Sequence, residues 1–489
     1  MFNTVPYLGS IMSIALLLGQ NDKLFAAASN ADALYLNVLF ENLSNGGSIA
    51  DWHLTPAPYF FPDYLVFSLP FILFQETSLR ITSNAIMQIL LVALAFGWTL
   101  RNAGFENSFR LGGVAGLTLT LLSLFAGGPW AYSMISAHHF GVILTGLLIL
   151  PFFMKHLSLG KAFSVNGLAV FLLAGFIGLS DKISVPQIIL PLTVAMLVWK
   201  LLSKSLNVPA LIAALLPLCG ALFGMFSYPI IVSFDKSAHT KVTVSFTQLE
   251  SYLTHLPEQP FFLHLSVFFL VIACVCLICS YVLFSPKRRD DFKILLIFFF
   301  CFSIIGNVSS MFLLDGIALS SRYFIPTFVF PILMPLILIG SFAYISNIFL
   351  TGLITITLIS LISFQNVQPN STKDRRLNDI ACIDKHIYGR KLKKGASSYW
   401  DAKEFQSYSR HDLTMAQYTS KLEKYEWITA NSFYSITYDF VIVSDRRGVD
   451  YKLDIDAIRS RNECILKSQQ CHTLTLLTCE NGDGLKLDP

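Results

Sequence analysis

Charge is what this chain has least of. Only 13% of its 489 residues are Asp, Glu, Lys or Arg, where an ordinary soluble domain carries about 25%. A fold that is water-soluble along its whole length is thereby excluded. The net charge of +4 is too small to mark a nucleic-acid partner. Nucleotide chemistry is equally unsupported: neither a dinucleotide-binding glycine fingerprint nor a phosphate-binding P-loop occurs. The Gly-x-Ser-x-Gly elbow of serine hydrolases is missing too, and no Cys/His spacing fits a zinc site.

The shortage of charge is local. From Gln365 to the C-terminus the chain holds 36 of its 66 charged residues. The sequence therefore divides into an apolar part, 1–364, and an ordinary soluble part, 365–489. Cysteine divides in the same way. Cys219, Cys274, Cys276, Cys279 and Cys301 lie in apolar runs and read as small hydrophobes. Cys382, Cys464, Cys471 and Cys479 lie in the tail, where an even number permits two disulfides in an oxidising compartment and is equally compatible with free thiols.

What remains is overwhelmingly apolar: 54% of residues are hydrophobic and the mean hydropathy is +0.59. A membrane-crossing helix needs about 20 such residues. Runs of that kind occur at 4–20, 81–100, 111–129, 135–154, 163–180, 185–203, 207–232, 261–284, 293–314, 323–343 and 345–364, so an all-α membrane domain of about eleven spans is expected. The run from Tyr59 to Phe74 is broken by Pro62, Asp63 and Pro70 and reads as interfacial or re-entrant. Basic residues cluster at alternate loops: Arg101 with Arg110, Lys155 with Lys161, Lys200 with Lys204, and Lys287, Arg288, Arg289 with Lys293. By the positive-inside rule the N-terminus is then cytoplasmic and the C-terminal domain periplasmic, in a bacterial inner membrane. The alternative at the start of the chain is a cleaved signal peptide, for which Ala26-Ala27-Ala28 offers a small-residue site.

The first outer loop, 21–80, concentrates acids and aromatics. Asp22, Asp32, Glu41, Asp51, Asp63 and Glu76 stand among Tyr35, Trp52, Tyr59, Phe60, Phe61 and Tyr64. Helical spacing places Asp32 and Tyr35 on one face. Gly46-Gly47 ends that helix, and Pro56-Ala57-Pro58 begins a rigid return path. Aromatic faces suit sugar rings, and a carboxylate can take a proton from an attacking hydroxyl. Taken singly, each acid is better explained as loop solvation; the case for a site rests on the order of motifs in the loop as a whole.

The order of these motifs resembles the GT-C superfamily of membrane glycosyltransferases, which includes protein O-mannosyltransferases and lipid A aminoarabinose transferases. A first span is followed by Asp32-Ala-Leu-Tyr35, by Gly46-Gly47, and by Trp52-His-Leu-Thr-Pro56-Ala-Pro58-Tyr-Phe-Phe-Pro62-Asp63-Tyr64. The motif match covers residues 1–110; the later spans match in count and layout. The resemblance implies an active-site role for Asp32, as base or metal contact, with Tyr35 and Asp63 beside it. Members commonly carry an acidic doublet, whereas Asn30-Ala31-Asp32 supplies one acid. A divalent metal, Mg²⁺ or Mn²⁺, is thus left open and no other cofactor is implied. The implied donor is a polyprenyl-phosphate-linked sugar. The implied acceptor is O-antigen, lipid A, another surface glycan or a protein, and serotype-modifying O-antigen glucosyltransferases have a comparable layout.

Four further polar groups fall at outer helix ends, where charge is costly and invites a role. His138 and His139 could contact a phosphate or shuttle a proton, or be ordinary hydrogen-bonded boundary residues. Ser180-Asp181 resembles a polar step of GT-C-like proteins, or is a plain Asp181-Lys182 turn. Arg322, in Ser320-Ser321-Arg322-Tyr323-Phe324, can hold a lipid phosphate by paired hydrogen bonds, or pair with Asp315. In the tail, Asp439–Ser444 and Thr473–Thr478 read as strands of a small α/β or α+β domain. Tyr399, Trp400, Tyr425 and Trp427 stand beside acids there and either bind glycan or pack a core. Two rival functions are a lipid-linked-sugar flippase, for which no internal repeat is found, and a surface-polysaccharide polymerase or ligase.

Overall fold

The computed structural model describes residues 4–18, 21–231, 243–255, 258–282, 292–315, 319–339, 371–446, 451–480, 482 and 484–488. Among these, seven helices are long and apolar enough to cross a membrane, as in a multi-pass membrane protein: Thr77–Asn102, Ser108–Phe125, Phe140–Ser158, Val185–Leu202, Val208–Ile230, Phe261–Ile278 and Phe292–Leu313. Shorter apolar helices run over Val5–Leu17, Val165–Ser180 and Ser321–Ile337. The expected span at 345–364 lies outside the described residues, as do Lys287, Arg288 and Arg289. The Phe60–Leu73 segment is about 21 Å long at 1.5 Å per residue, short of the roughly 30 Å hydrocarbon thickness.

The helices pack by close backbone approach, which needs small residues because lipid supplies no hydrophobic drive. Val165–Ser180 and Val208–Ile231 are the clearest pair. A Cβ added at Gly224 would lie 2.0 Å from the Gly175 carbonyl oxygen, and one at Gly178 would lie 2.3 Å from that of Ala221. The outward faces keep large apolar side chains exposed, among them Phe176, Phe223, Phe226 and Phe268. In water such a surface would aggregate; in lipid it is the solvated face.

The C-terminal region mixes helix and strand. Nine strands occur among the described residues: β1 Trp52–His53, β2 Thr243–Val244, β3 Leu314–Asp315, β4 Lys394–Ser398, β5 Thr414–Tyr418, β6 Thr429–Ala430, β7 Phe440–Ser444, β8 Leu466–Cys471 and β9 Leu474–Cys479. Five form one sheet in the order β5-β4-β7-β9-β8, parallel across β5-β4-β7 and antiparallel from β7 onward. The central strand β7, Phe-Val-Ile-Val-Ser, is buried throughout, as the continuous apolar run requires. Helices Ser371–Tyr388 and Tyr399–Tyr408 belong to the same unit. The four tail cysteines pair as Cys382–Cys471 and Cys464–Cys479. The first ties helix Ser371–Tyr388 to β8, and the second joins the open end of the β8–β9 hairpin.

This unit sits on the first loop. β1 pairs antiparallel with β6, Trp52 opposite Ala430 and His53 opposite Thr429. One apolar cluster spans both parts and includes Tyr35, Leu39, Trp52, Phe67, Ile428 and Phe433. Trp52 is 1% exposed, with its ring 6.0 Å from Tyr35 and 5.6 Å from Phe433. Thr77 donates a hydrogen bond to the Ser407 carbonyl. The first loop and the C-terminal unit therefore share one face of the helical bundle.

The opposite face follows from helix lengths. Arg101 lies 24 residues beyond Thr77 on one continuous helix, about 36 Å along its axis. Lys155 stands in the last turn of the helix that begins beside His139. Lys200 likewise ends a helix that starts just after Asp181. The basic residues thus gather away from the first loop.

Candidate functional site

Asp32 occupies a turn between two helices. Helix Asp22–Ala28 ends before it, and helix Tyr35–Ser44 begins after it. Asn30 shapes the turn: its side-chain Nδ2 donates to the Ala27 carbonyl at 2.7 Å, and its Oδ1 accepts from the Ala33 amide at 2.9 Å. Short polar side chains that bond their own backbone compete with helix in this way. The expectation that Asp32 and Tyr35 share a helical face is corrected accordingly. The helix starts three residues too late for that, and the two side chains diverge. Tyr35 is fully buried, with its hydroxyl 2.6 Å from that of Tyr64, while Asp32 turns toward the C-terminal unit.

Both carboxylate oxygens of Asp32 are engaged. Arg322 Nη1 donates to Oδ2 at 2.9 Å. The Tyr399 hydroxyl, at the start of helix Tyr399–Tyr408, donates to Oδ1. The alternative partner for Arg322, Asp315, has its side chain outside the described residues. Burial alone would raise the Asp32 carboxyl. His138, the Tyr399 hydrogen bond, Arg322 and Lys403 reverse this and hold it below the usual carboxylate range. His138 is itself pushed down to about 4 by burial, so at neutral pH the imidazole carries no charge and the effect rests on Tyr399 and Arg322.

Arg322 precedes the helix Ile325–Ile339, in a single turn, Ser321–Phe324. Two buried amides fix that turn: Gln187 Nε2 and Asn307 Nδ2 each donate to the Tyr323 carbonyl at 2.8 Å. Asn307 Oδ1 accepts from the Thr327 hydroxyl at 2.6 Å. The guanidinium also donates from Nη2 to the Tyr323 hydroxyl at 3.2 Å. Its Nε is buried and has no hydrogen-bond partner among the described residues, which leaves a donor for an anionic oxygen.

The two histidines sit in the segment before helix Phe140–Ser158, so the expected span start at 135 moves to Phe140. Ser136 ties that segment to the Asp32 turn, its hydroxyl donating to the Ala33 carbonyl at 2.9 Å. His138 stacks on Tyr132, with ring centres 5.1 Å apart. Its Nδ1 donates to the Ser136 carbonyl at 2.7 Å, which leaves Nε2 as the acceptor nitrogen. His139, at φ +65°, points elsewhere. Its Nδ1 donates to Asp181 Oδ2 at 2.5 Å, both side chains being almost fully buried. The ring lies between Tyr59 and Tyr323, with centres 5.5 and 4.9 Å away. Tyr323 therefore links the His139–Asp181 pair to Arg322.

Asp63 is 2% exposed and accepts from the Ala137 amide at 3.3 Å. The return path is clamped to the end of helix Val165–Ser180: the Tyr59 amide donates to the Ser180 carbonyl at 3.3 Å and the Phe61 amide to the Ser180 hydroxyl at 2.8 Å. Asp32, Asp63, His138, His139, Asp181 and Arg322 thus gather around the 132–139 segment, and Tyr35 is fully buried in the apolar cluster that includes Ala137 of that segment.

Sequence reasoning missed Lys403. It lies one helical turn after Tyr399, is 1% exposed, and holds Nζ 4.4 Å from the centre of the Tyr399 ring. With the Gln417 amide turned so that its oxygen faces Lys403, Nζ donates at 3.0 Å. Burial pushes the ammonium down to about 7, against the pull of Asp32. A lysine buried in a soluble-looking tail gives no sequence signal. Gln187 and Asn307 did give one, as uncharged polar residues inside apolar runs.

For a metal, the donor set around Asp32 is poor. Among the described residues the group with suitable ligand spacing is Cys382, His386 and Cys471, whose two sulfurs are joined in a disulfide. Asp32 instead faces a cation, a phenol and a neutral imidazole. Such a site can accept a proton from a hydroxyl placed where the Tyr399 hydroxyl now sits, and can bind an anionic oxygen at Arg322. Comparisons of the chain with protein-family models, with curated proteins and with solved structures return no match.

Proposed function

We propose that this chain is a membrane glycosyltransferase of GT-C type, moving a sugar from a polyprenyl-phosphate donor to a hydroxyl of a surface glycan, lipid or protein. The observation that carries the reading is the Asp32 carboxylate held between the Arg322 guanidinium and the Tyr399 hydroxyl. Arg322, at the start of an apolar helix, holds the donor phosphate at the height of lipid headgroups. Asp32 takes the proton of the acceptor hydroxyl as its oxygen attacks the anomeric carbon. The bond from that carbon to the phosphate oxygen breaks on the opposite face, and its electron pair leaves with the lipid phosphate. The anomeric centre inverts. Phosphate needs no proton to leave, so one carboxylate suffices.

Two features favour the periplasmic face of the inner membrane for this site. The adjoining C-terminal unit carries two disulfides, which persist in oxidising compartments. Arg101, Lys155 and Lys200 cluster at the far ends of helices that begin near the site, as cytoplasmic loops do.

The test is lipid analysis of cells lacking the gene. The account expects polyprenyl-phosphate sugar to accumulate on the outer leaflet. Accumulation of donor confined to the cytoplasmic leaflet would favour a flippase and overturn the reading.

A further inference from the structure

A cavity on the same face takes no part in the chemistry just described. It encloses about 870 Å³ between the first loop and the C-terminal unit. Asn42, Asn45 and Gln75 face Gln406, Arg410 and Asp412 across it. Its carboxylates are largely committed. Glu41 accepts from Arg80 at 2.7 Å, and Asp384 accepts from the Ser409 hydroxyl at 2.5 Å and the Arg410 amide at 2.9 Å. With Glu41 paired to Arg80, the lining is polar and mildly acidic, Glu76, Asp384 and Asp412 standing with Arg410, which suits a neutral ligand rich in hydroxyl groups that can donate to carboxylates. Ser407, 6% exposed, also lines the cleft, and its hydroxyl has no partner among the described residues.

An aromatic platform adjoins this cleft. Tyr388 is 73% exposed and stacks on His411, with ring centres 5.1 Å apart and planes within 20°. His411 lines both the cleft and a shallow hollow that Tyr388 shares. A stacked ring left open to water beside amides, hydroxyls and carboxylates matches a sugar, which has an apolar C–H face and a rim of donors and acceptors.

The cleft lies within reach of Asp32. Tyr399 touches Asp32, and Tyr408, at the other end of the same helix, lines the cleft. Nine helical steps separate them, about 14 Å. The Tyr408 hydroxyl, 2.9 Å from that of Ser29, meets the loop three residues before Asp32.

We propose that this cleft binds an oligosaccharide, the non-reacting part of the acceptor, and holds it while one of its hydroxyls reaches Asp32. The proposal rests on the transferase reading for its direction, but it names a separate site. Binding energy gathered there is available to position the reacting hydroxyl.

The experiment titrates the purified full-length protein in detergent with oligosaccharides released from the surface polysaccharide of the source cells, and follows sugar transfer in parallel. Tyr388→Ala and Arg410→Ala alter exposed side chains of the platform and rim. Each is expected to weaken glycan binding by about tenfold or more, equivalent to roughly 1.4 kcal/mol. Binding lost in these variants of a protein that transfers no sugar would uphold the cleft and remove the transferase reading. Wild-type protein that binds none of these oligosaccharides, or binds them equally well in both variants, overturns the cleft. Transfer that continues unchanged in the variants would then leave the Asp32 reading intact.

Discussion

Arg322 Nη1 donates to Asp32 Oδ2 at 2.9 Å and joins two residues 290 positions apart in the chain. One belongs to the first loop and the other opens a late apolar helix. A fixed ion pair in a part-buried position requires both elements to be held, since a long side chain gives up rotamer freedom to make it. Gln187 and Asn307 supply that fixation from within the helical bundle.

Replacing Arg322 by Lys keeps the charge and loses the planar fork. The expected outcome is about a 10- to 100-fold rise in the KM for lipid-linked donor, with the protein still inserted at normal level. Steady-state kinetics on membranes with varied donor reads it directly.

Tyr399→Phe removes the hydroxyl that occupies Asp32 Oδ1. The sign of its pH effect is fixed. Asp32 must be ionised to act as base, so activity falls as pH drops through its folded-state pKa. The Tyr399 hydrogen bond helps hold that pKa below the usual range. In Tyr399→Phe the acid limb of the pH–rate profile therefore moves to higher pH. A limb that stays in place would remove Tyr399 from the account.

Lys403 predicts a pH effect on stability. Its folded-state pKa, about 7, lies below the ordinary 10.5. Between those values the unfolded chain binds more protons, so folding strengthens as pH rises from 7 toward 10. Lys403→Met abolishes that slope and stabilises the C-terminal unit near pH 6 by on the order of 3 kcal/mol. Thermal unfolding at pH 6 and pH 9, in wild type and variant, measures both effects.

The glycine contacts make a prediction for the helical bundle. Gly224→Leu forces apart two helices whose backbones touch. It is expected to cost at least about 1–3 kcal/mol, seen as lower folded yield and a lower melting temperature in detergent. An equivalent substitution at Phe226, which is 76% exposed and faces lipid, should leave both unchanged.

Reduction supplies a fifth check. The Cys382–Cys471 bridge closes a loop of 89 residues, and its loss is expected to destabilise the C-terminal unit by about 2–5 kcal/mol. Maleimide labelling of unfolded protein should find Cys382, Cys464, Cys471 and Cys479 blocked until a reductant is added.

Legibility in the sequence followed the range of the forces involved. Spanning helices announce themselves by composition within about 20 residues, so most expected runs coincide with described helices. The strand Phe440–Ser444 and the hairpin strand Leu474–Cys479 were visible for the same local reason. Asp32 stands out by its place in the order of first-loop motifs, and His138, His139, Asp181 and Arg322 because charge and imidazole are conspicuous at apolar helix ends. Their partners could not. Nothing local tells that Arg322 meets Asp32 while His139 meets Asp181, for those choices are made by packing across the bundle. Spacing alone reads the Asp32 turn as helix, but the Asn30 side chain bonds its own backbone and turns the chain there instead. Tyr399 shows in the sequence only as one aromatic among several beside acids, and Lys403 not at all, because they lie in a tail whose polar residues look solvated.

The most direct measurement compares cells producing wild-type chain with cells producing Asp32→Asn at equal membrane levels, using mass spectrometry of their surface glycans. The account predicts a sugar increment that is present with wild type and absent with Asp32→Asn. The same increment in both would contradict it.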